Sequence, residues 1–205
     1  MSYTQIPGAE IIQKTIAALK ERNVEAVVVE KKEDALAKIK ELIPVGASIN
    51  NGSSRTLDEI GFIELLKSGD HTWNNLHGIV LTEADPQKQA ELRRLALFSD
   101  YYLGSVHALS ETGEMVIASA SGSQLPHIVY TSQNLIFVVS TQKITPTLED
   151  AIKRVREYVY PLENERMKSV GMGGSVFSKL LILEQEPVFM NRKVFVIFVN
   201  EALGF

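Results

Sequence analysis

The stretch from Leu135 to Ile152 reads LIFVVSTQKITPTLEDAI. Its opening run is apolar and rich in β-branched residues, too short for a buried helix, and so predicts an inner strand from Leu135 to Ser140. Pro146 suits the first turn of a helix, and Leu148, Ile152, Val155 and Val159 then recur at spacings of 4, 3 and 4 along one helical face. A doubly buried strand that hands its chain to a helix is the building unit of a parallel sheet.

Working outward, the same alternation returns. Ile11, Ile12, Thr15, Ile16 and Leu19 mark a helix that Asn23 stops in a left-handed turn. A strand is expected at Val24 to Glu30 and a helix at Glu33 to Ile43, closed by Pro44. A short strand at Ala47 to Asn50 leads to a brief helix at Thr56 to Ile60, with Ser53, Ser54 or Thr56 as its cap. Ser68 to Gly78 is polar and reads as irregular. Pro86 to Ser99 reads as an amphipathic helix with Leu92, Leu95 and Phe98 inward and Arg93 and Arg94 outward. Short strands follow at Tyr101 to Gly104, Val106 to Leu109 and Glu114 to Ala118, then a helical turn at Leu125 to Thr131. Lys179 to Leu183 and Val194 to Val199 are the last strands, on either side of a loop containing Pro187. The expected class is α/β, an open, mostly parallel sheet with helices on both faces, in one domain spanning residues 1–205.

Composition removes several chemistries. The chain has no cysteine, so it offers no disulfide, thiolate nucleophile or thiolate-held iron–sulfur cluster. A net charge of −4 argues against a broad nucleic-acid surface. Neither a membrane span nor a signal segment is read, which predicts a cytoplasmic protein. His71, His77, His107 and His127 are scattered, so no metal site is expected from spacing. Gly171, Gly173 and Gly174 lack both a preceding strand and the third fingerprint glycine, and read as a loop. Neither a phosphate-binding P-loop nor a nucleophile elbow occurs.

In parallel sheets ligands collect at the carboxyl ends of strands. Two loops fit. Asn50, Asn51, Gly52, Ser53, Ser54, Arg55 and Thr56 combine a glycine, amides, hydroxyls and a helix start, with Arg55 as a clamp for phosphate or carboxylate. Glu111, Thr112 and Gly113 form a turn between two strands, where a carboxylate facing a cleft would serve as base or nucleophile; a solvent-exposed hairpin has the same composition. Ser121 and Gly122 follow the next strand as pocket lining, and Lys143, beyond the strongest strand, is placed to neutralise an anion.

The segments GSSRTLDEIGF at Gly52 to Phe62, SxxALSETGEMV at Ser105 to Val116, KITPTLEDAI from Lys143 and the closing VNEALGF to Phe205 together resemble the LUD domain, a lactate-utilisation family. The resemblance implies a fold like ribose-5-phosphate isomerase and coenzyme A transferases, with a cleft between the Gly52 loop and the Glu111 turn. It also implies a part in bacterial oxidation of lactate to pyruvate through an iron–sulfur system. By analogy within that superfamily, Asn51, Gly52, Ser53, Ser54 and Glu111 would meet a phosphate or acyl group. Some relatives carry a cysteine-bearing segment where this chain reads RMKSVGMGGSVFS from Arg166, so any redox centre would belong to iron–sulfur partner subunits. Three readings result: a binder of a small anionic metabolite that assists lactate oxidation, an independent isomerase or acyl/CoA transferase using Glu111 with Lys143 or Arg55, and a ligand-free structural subunit. No cofactor is identified, and a homodimer is the expected remedy if the apolar strand at Val194 to Val199 is left uncovered.

Overall fold

The computed structural model describes residues 3–205. In chain order the elements are α1 Ala9–Glu21, β1 Glu25–Val29, α2 Lys32–Leu42, β2 Ser48–Asn51, α3 Arg55–Glu59, α4 Phe62–Ser68, β3 Asn74–Asn75, α5 Leu76–Thr82, α6 Pro86–Leu95, β4 Tyr101–Gly104, β5 Ala108–Ser110, β6 Met115–Ser119, β7 Asn134–Ser140, β8 Ile144–Thr145, α7 Leu148–Arg154, α8 Tyr160–Ser169, β9 Lys179–Leu183 and β10 Lys193–Val199. Asn23, with φ 58, makes the left-handed stop its position implies.

Six strands form a parallel sheet in the order β1-β10-β7-β4-β2-β3. The period-2 alternation of the inner strands divides two cores. Ile136, Val138, Ile197 and Val199 face one way, against Ala35 and Ile39 of α2, Leu57 of α3 and Phe62 of α4. Leu135, Phe137, Val139, Val194, Val196 and Phe198 face the other way, toward Leu19 of α1. Because β10 is flanked by β1 and β7 and covered on both faces, its apolar run is buried within the chain. It therefore supplies no reason for a homodimer.

Helices lie on both sides of this sheet, but the second side is shared with a further sheet of order β8-β5-β6-β9. Its inner face adds Leu109, Met115 and Ile117 to the second core. Its outer face, through Ala108 and Val116, meets Ala151 and Val155 of the long C-terminal helix. That helix contains a wider π-type turn at Val155–Val159 between α7 and α8. Pro161 in the following turn has no N–H to offer the carbonyl four residues back, which favours such a local rearrangement.

Two expectations need correction. Ser68 to Gly78 is not wholly irregular: α4 ends at Ser68, β3 pairs with β2, and α5 begins at Leu76. Trp73 is buried there, its ring N–H donating to the Ile43 carbonyl. Leu95 and Phe98 do not point inward, being 65% and 74% exposed, and α6 has no buried residue. The helical period alone did not say whether a core lay beneath it.

Candidate functional site

The loops after β2, β4 and β7 converge at the carboxyl ends of the parallel sheet, where they line a cleft of about 500 Å³. On the β2 side, Ser54 caps α3 by accepting from the Leu57 N–H at 3.3 Å. Gly52 is obligatory by contact, since a Cβ there would collide with the phenol of buried Tyr102. The close approach that this glycine permits is therefore to a side chain of the fold. Tyr102 in turn stacks on His127 with ring centroids 4.7 Å apart.

Lys143, next to the end of β7, joins the three loops. Its ammonium donates to Thr56 Oγ1 at 3.1 Å, to Ser105 Oγ at 3.2 Å and to the Val106 carbonyl at 3.2 Å. The residue is 3% exposed. Among the described residues no carboxylate lies within ion-pair distance of it. Burial, reinforced by the charge of Arg154 and opposed by Glu59, pushes its pKa down to about 7.

Beside it, His107 Nδ1 accepts the Ala118 N–H at 3.1 Å, which leaves the proton of the neutral ring on Nε2. Burial, then Lys143 and Arg154, depress its pKa to about 3, so this cleft-lining ring stays neutral at physiological pH. Arg154 lies fully buried behind it, donating to the carbonyls of His107 and Tyr3. The Tyr3 and Tyr158 rings flank the guanidinium at 6.0 and 5.2 Å. Its Nε has no partner among the described residues. Beneath the cleft, therefore, two buried cations stand beside a neutral imidazole, and Glu59 is the acidic group that acts on Lys143.

The sequence-predicted residues divide. Gly52, Ser53, Ser54, Arg55, Ser121 and Lys143 line the cleft together. Arg55 is not an open clamp, because it bridges to Glu59 one turn along its own helix at 2.8 Å. Asn50 is withdrawn into a buried network, donating to the Ala96 carbonyl and to His127 Nε2. Asn51 is buried beside it, with its side-chain amide on the Gly52 carbonyl. Gly122 is packed under the Lys179 chain, outside the lining.

The Glu111 turn is the main correction. Extended chain rises about 3.3 Å per residue, so the four steps from His107 carry Glu111 about 13 Å along β5, away from the cleft. There Glu111 pairs with Lys14 of α1 at 2.8 Å, Thr112 accepts from Arg22 through its carbonyl, and Gly113 packs on Arg22 and Ala18. Glu114 is the more embedded carboxylate of that turn: burial opposes its ionisation, yet hydrogen bonds from Ser110 and Thr112 and the charge of Arg22 hold it below the usual range. Glu111 therefore lies outside the lining of the cleft that the Gly52 loop and Lys143 share.

Thr56, at the end of the first loop, is in the cleft as well, whereas sequence reasoning misses Ser105, His107, Gln124 and Arg154. Ser105 and His107 directly follow β4, so the strand-end rule applied to that strand points to them. Arg154 carries no comparable signal, because an arginine in an amphipathic helix normally belongs to the solvated face. Among the described residues no group of three or more His, Asp or Glu is placed to hold a metal, and no helix is long and apolar enough to cross a membrane.

Comparison with known proteins adds the following. The model of the LUD domain matches residues 12–199. No curated protein matches. A DUF162 family protein from Deinococcus radiodurans, known from its crystal structure, superimposes with a TM-score of 0.56 at 17% identity, over 97% of this chain and 99% of that one, which is a likeness of fold. Ribose 5-phosphate isomerase A from Methanocaldococcus jannaschii aligns over 68% of this chain and 66% of its own, with a TM-score of 0.34 and 12% identity.

Proposed function

The chain belongs to the LUD domain family, and from that premise we propose that it binds a small anionic metabolite in the cleft over Lys143, as an accessory of lactate oxidation. One observation carries the reading: a buried ammonium at the floor of an open cleft, held by two hydroxyls and a carbonyl with no carboxylate in contact. An incoming anion about 4 Å away would gain on the order of 4 kcal/mol of attraction at the intermediate dielectric of such a site. It would also raise the depressed pKa of the amine, so binding and protonation reinforce each other. Thr56 Oγ1 accepts from Lys143 and keeps its own proton for a ligand oxygen, and the His107 Nε2–H adds a second neutral donor.

The lactate connection comes from the family. With no cysteine to hold a cluster, this chain would leave electron transfer to iron–sulfur partner subunits and contribute ligand binding. Calorimetric titration with lactate, pyruvate, ribose 5-phosphate and acetyl coenzyme A tests the reading. Heat from at least one anion, lost in Lys143→Met at an unchanged melting temperature, is the expected result. Silence from all of them in the folded protein would overturn the proposal and leave the structural-subunit reading.

A further inference from the structure

The cleft has two chemically opposite walls. Opposite the cationic floor, the end of the long helix and the loop at 170–178 present Val159, Tyr160, Met167, Met172, Val176 and Phe177. This wall is built rather than loose. Ser175 N–H donates to Asn164 Oδ1 at 2.8 Å, Tyr160 donates to the Ser175 carbonyl at 3.3 Å, and Phe177 meets the Tyr160 ring edge-on at 5.7 Å. Gly174, at φ 115, lies against Asn164 where a Cβ would collide, so the sharp return of the loop depends on that residue. Met172 and Val176 are each 67% exposed although the loop that carries them is pinned. The charged pair on this side, Glu163 and Arg166, is closed bidentately on itself at 2.7 Å.

A volume of about 500 Å³ is in the range that accommodates ligands of drug size and is far larger than a three-carbon acid needs. Although Ser53, Ser54, Ser119, Ser121, Ser123 and Gln124 also line the cleft, the hydroxyls of a sugar phosphate lying along Val159, Met172, Val176 and Phe177 would find no partners in those side chains, a costly arrangement. A single buried ammonium matches the one charge of a carboxylate, whereas a dianionic phosphate would leave a charge without a cation, since Arg55 is closed on Glu59 and Arg166 on Glu163. Building on the anion-binding reading, we infer that the ligand is an amphipathic carboxylate, its head over Lys143 and an apolar body of roughly six to ten carbons along the Tyr160 and Met172 wall. Lactate and pyruvate then touch the floor alone and bind weakly.

Titration of the intact protein with lactate, butyrate, hexanoate, octanoate and methyl octanoate, below their aggregation concentrations, tests this. Affinity should rise about fourfold per added methylene from butyrate to octanoate. Methyl octanoate, which lacks the charge, should bind at least about tenfold more weakly than octanoate. Met172→Ser and Val176→Ser, both at exposed positions, should flatten the series. A flat series in the unaltered protein, with all acids binding alike, overturns the amphipathic ligand and spares the anion site. An ester that binds as tightly as the acid overturns the head group at Lys143. Absence of binding by every acid overturns both readings.

Discussion

Two of the buried cations in this fold, Arg192 and Lys143, are satisfied in opposite ways. Arg192 donates to the carbonyls of His127, Ile128, Val129 and Ser132, closing the end of the helical turn before β7, and pairs with buried Glu186 at 3.2 Å. Lys143 has three oxygens and no carboxylate, and it lines a cleft. A charge whose partners are all internal braces the polypeptide. One whose counter-charge is missing from its contacts, beside a space large enough for a molecule, is arranged for something that arrives from outside.

The contrast breaks most visibly at Arg192. Arg192→Ala leaves Glu186, whose carboxyl burial already pushes up, without its counter-ion, and strips four carbonyls of their donor. Urea denaturation should register a loss of about 3–5 kcal/mol. A loss below about 1 kcal/mol would mean that the two cations do not differ in kind.

Lys143→Met should behave in the opposite sense. Replacing a buried charge that has no ion-pair partner by an apolar side chain of similar length should change stability by less than about 1 kcal/mol or raise it. Carboxylate affinity should fall at least about thirtyfold, corresponding to about 2 kcal/mol. Strong destabilisation with unchanged affinity would make Lys143 a second Arg192.

Proton linkage sharpens the comparison further. The folded pKa of Lys143 is about 7 against an ordinary value of 10.5. Between those values the unfolded chain holds the proton that the folded chain has released, so unfolding takes up a proton and stability rises with pH across that window. Lys143→Met should remove this rise. In the unaltered protein, carboxylate affinity should weaken about tenfold per pH unit above about 7, because only the protonated fraction binds. An affinity flat from pH 6 to 9 would exclude Lys143 as the anion's partner.

The smallest effect belongs to Glu111→Gln. Its partner Lys14 is largely exposed, and such a pair contributes about 0–1 kcal/mol. Neither affinity nor melting temperature should change appreciably. A large loss of binding would return the Glu111 turn to the site.

Much of this arrangement could be read from residue order. The inner strands β7 and β10 announced themselves by β-branched runs, Asn23 by its left-handed stop, and the Gly52 loop and Lys143 by standing after strands that precede helices. What could not be read depended on contacts between distant residues. The hairpin at Glu111 has the composition of a site turn and of a surface turn alike, and only the direction of β5 decides which it is. Arg154 belongs to a helix whose apolar stripe was evident, but its burial depends on Tyr3, far away in sequence. Leu95 and Phe98 sat at core-like spacings on a helix with no core beneath them. The second sheet was foreshadowed as short strands, yet nothing local indicated that they would form a layer of their own.

The wide turn at Val155–Val159 acts as a phase shift in the long helix. One residue more than an ordinary turn rotates everything after it by about 100° relative to an unbroken helix. The face that packs through Ala151 on the second sheet is therefore decoupled from the face that brings Tyr160 and Met167 to the cleft. Shortening this turn by a single residue would swing that wall off the opening while leaving every floor residue in place. Among related chains, the number of residues between Thr147 and Ser169 would then report ligand preference where the identities of the floor residues do not.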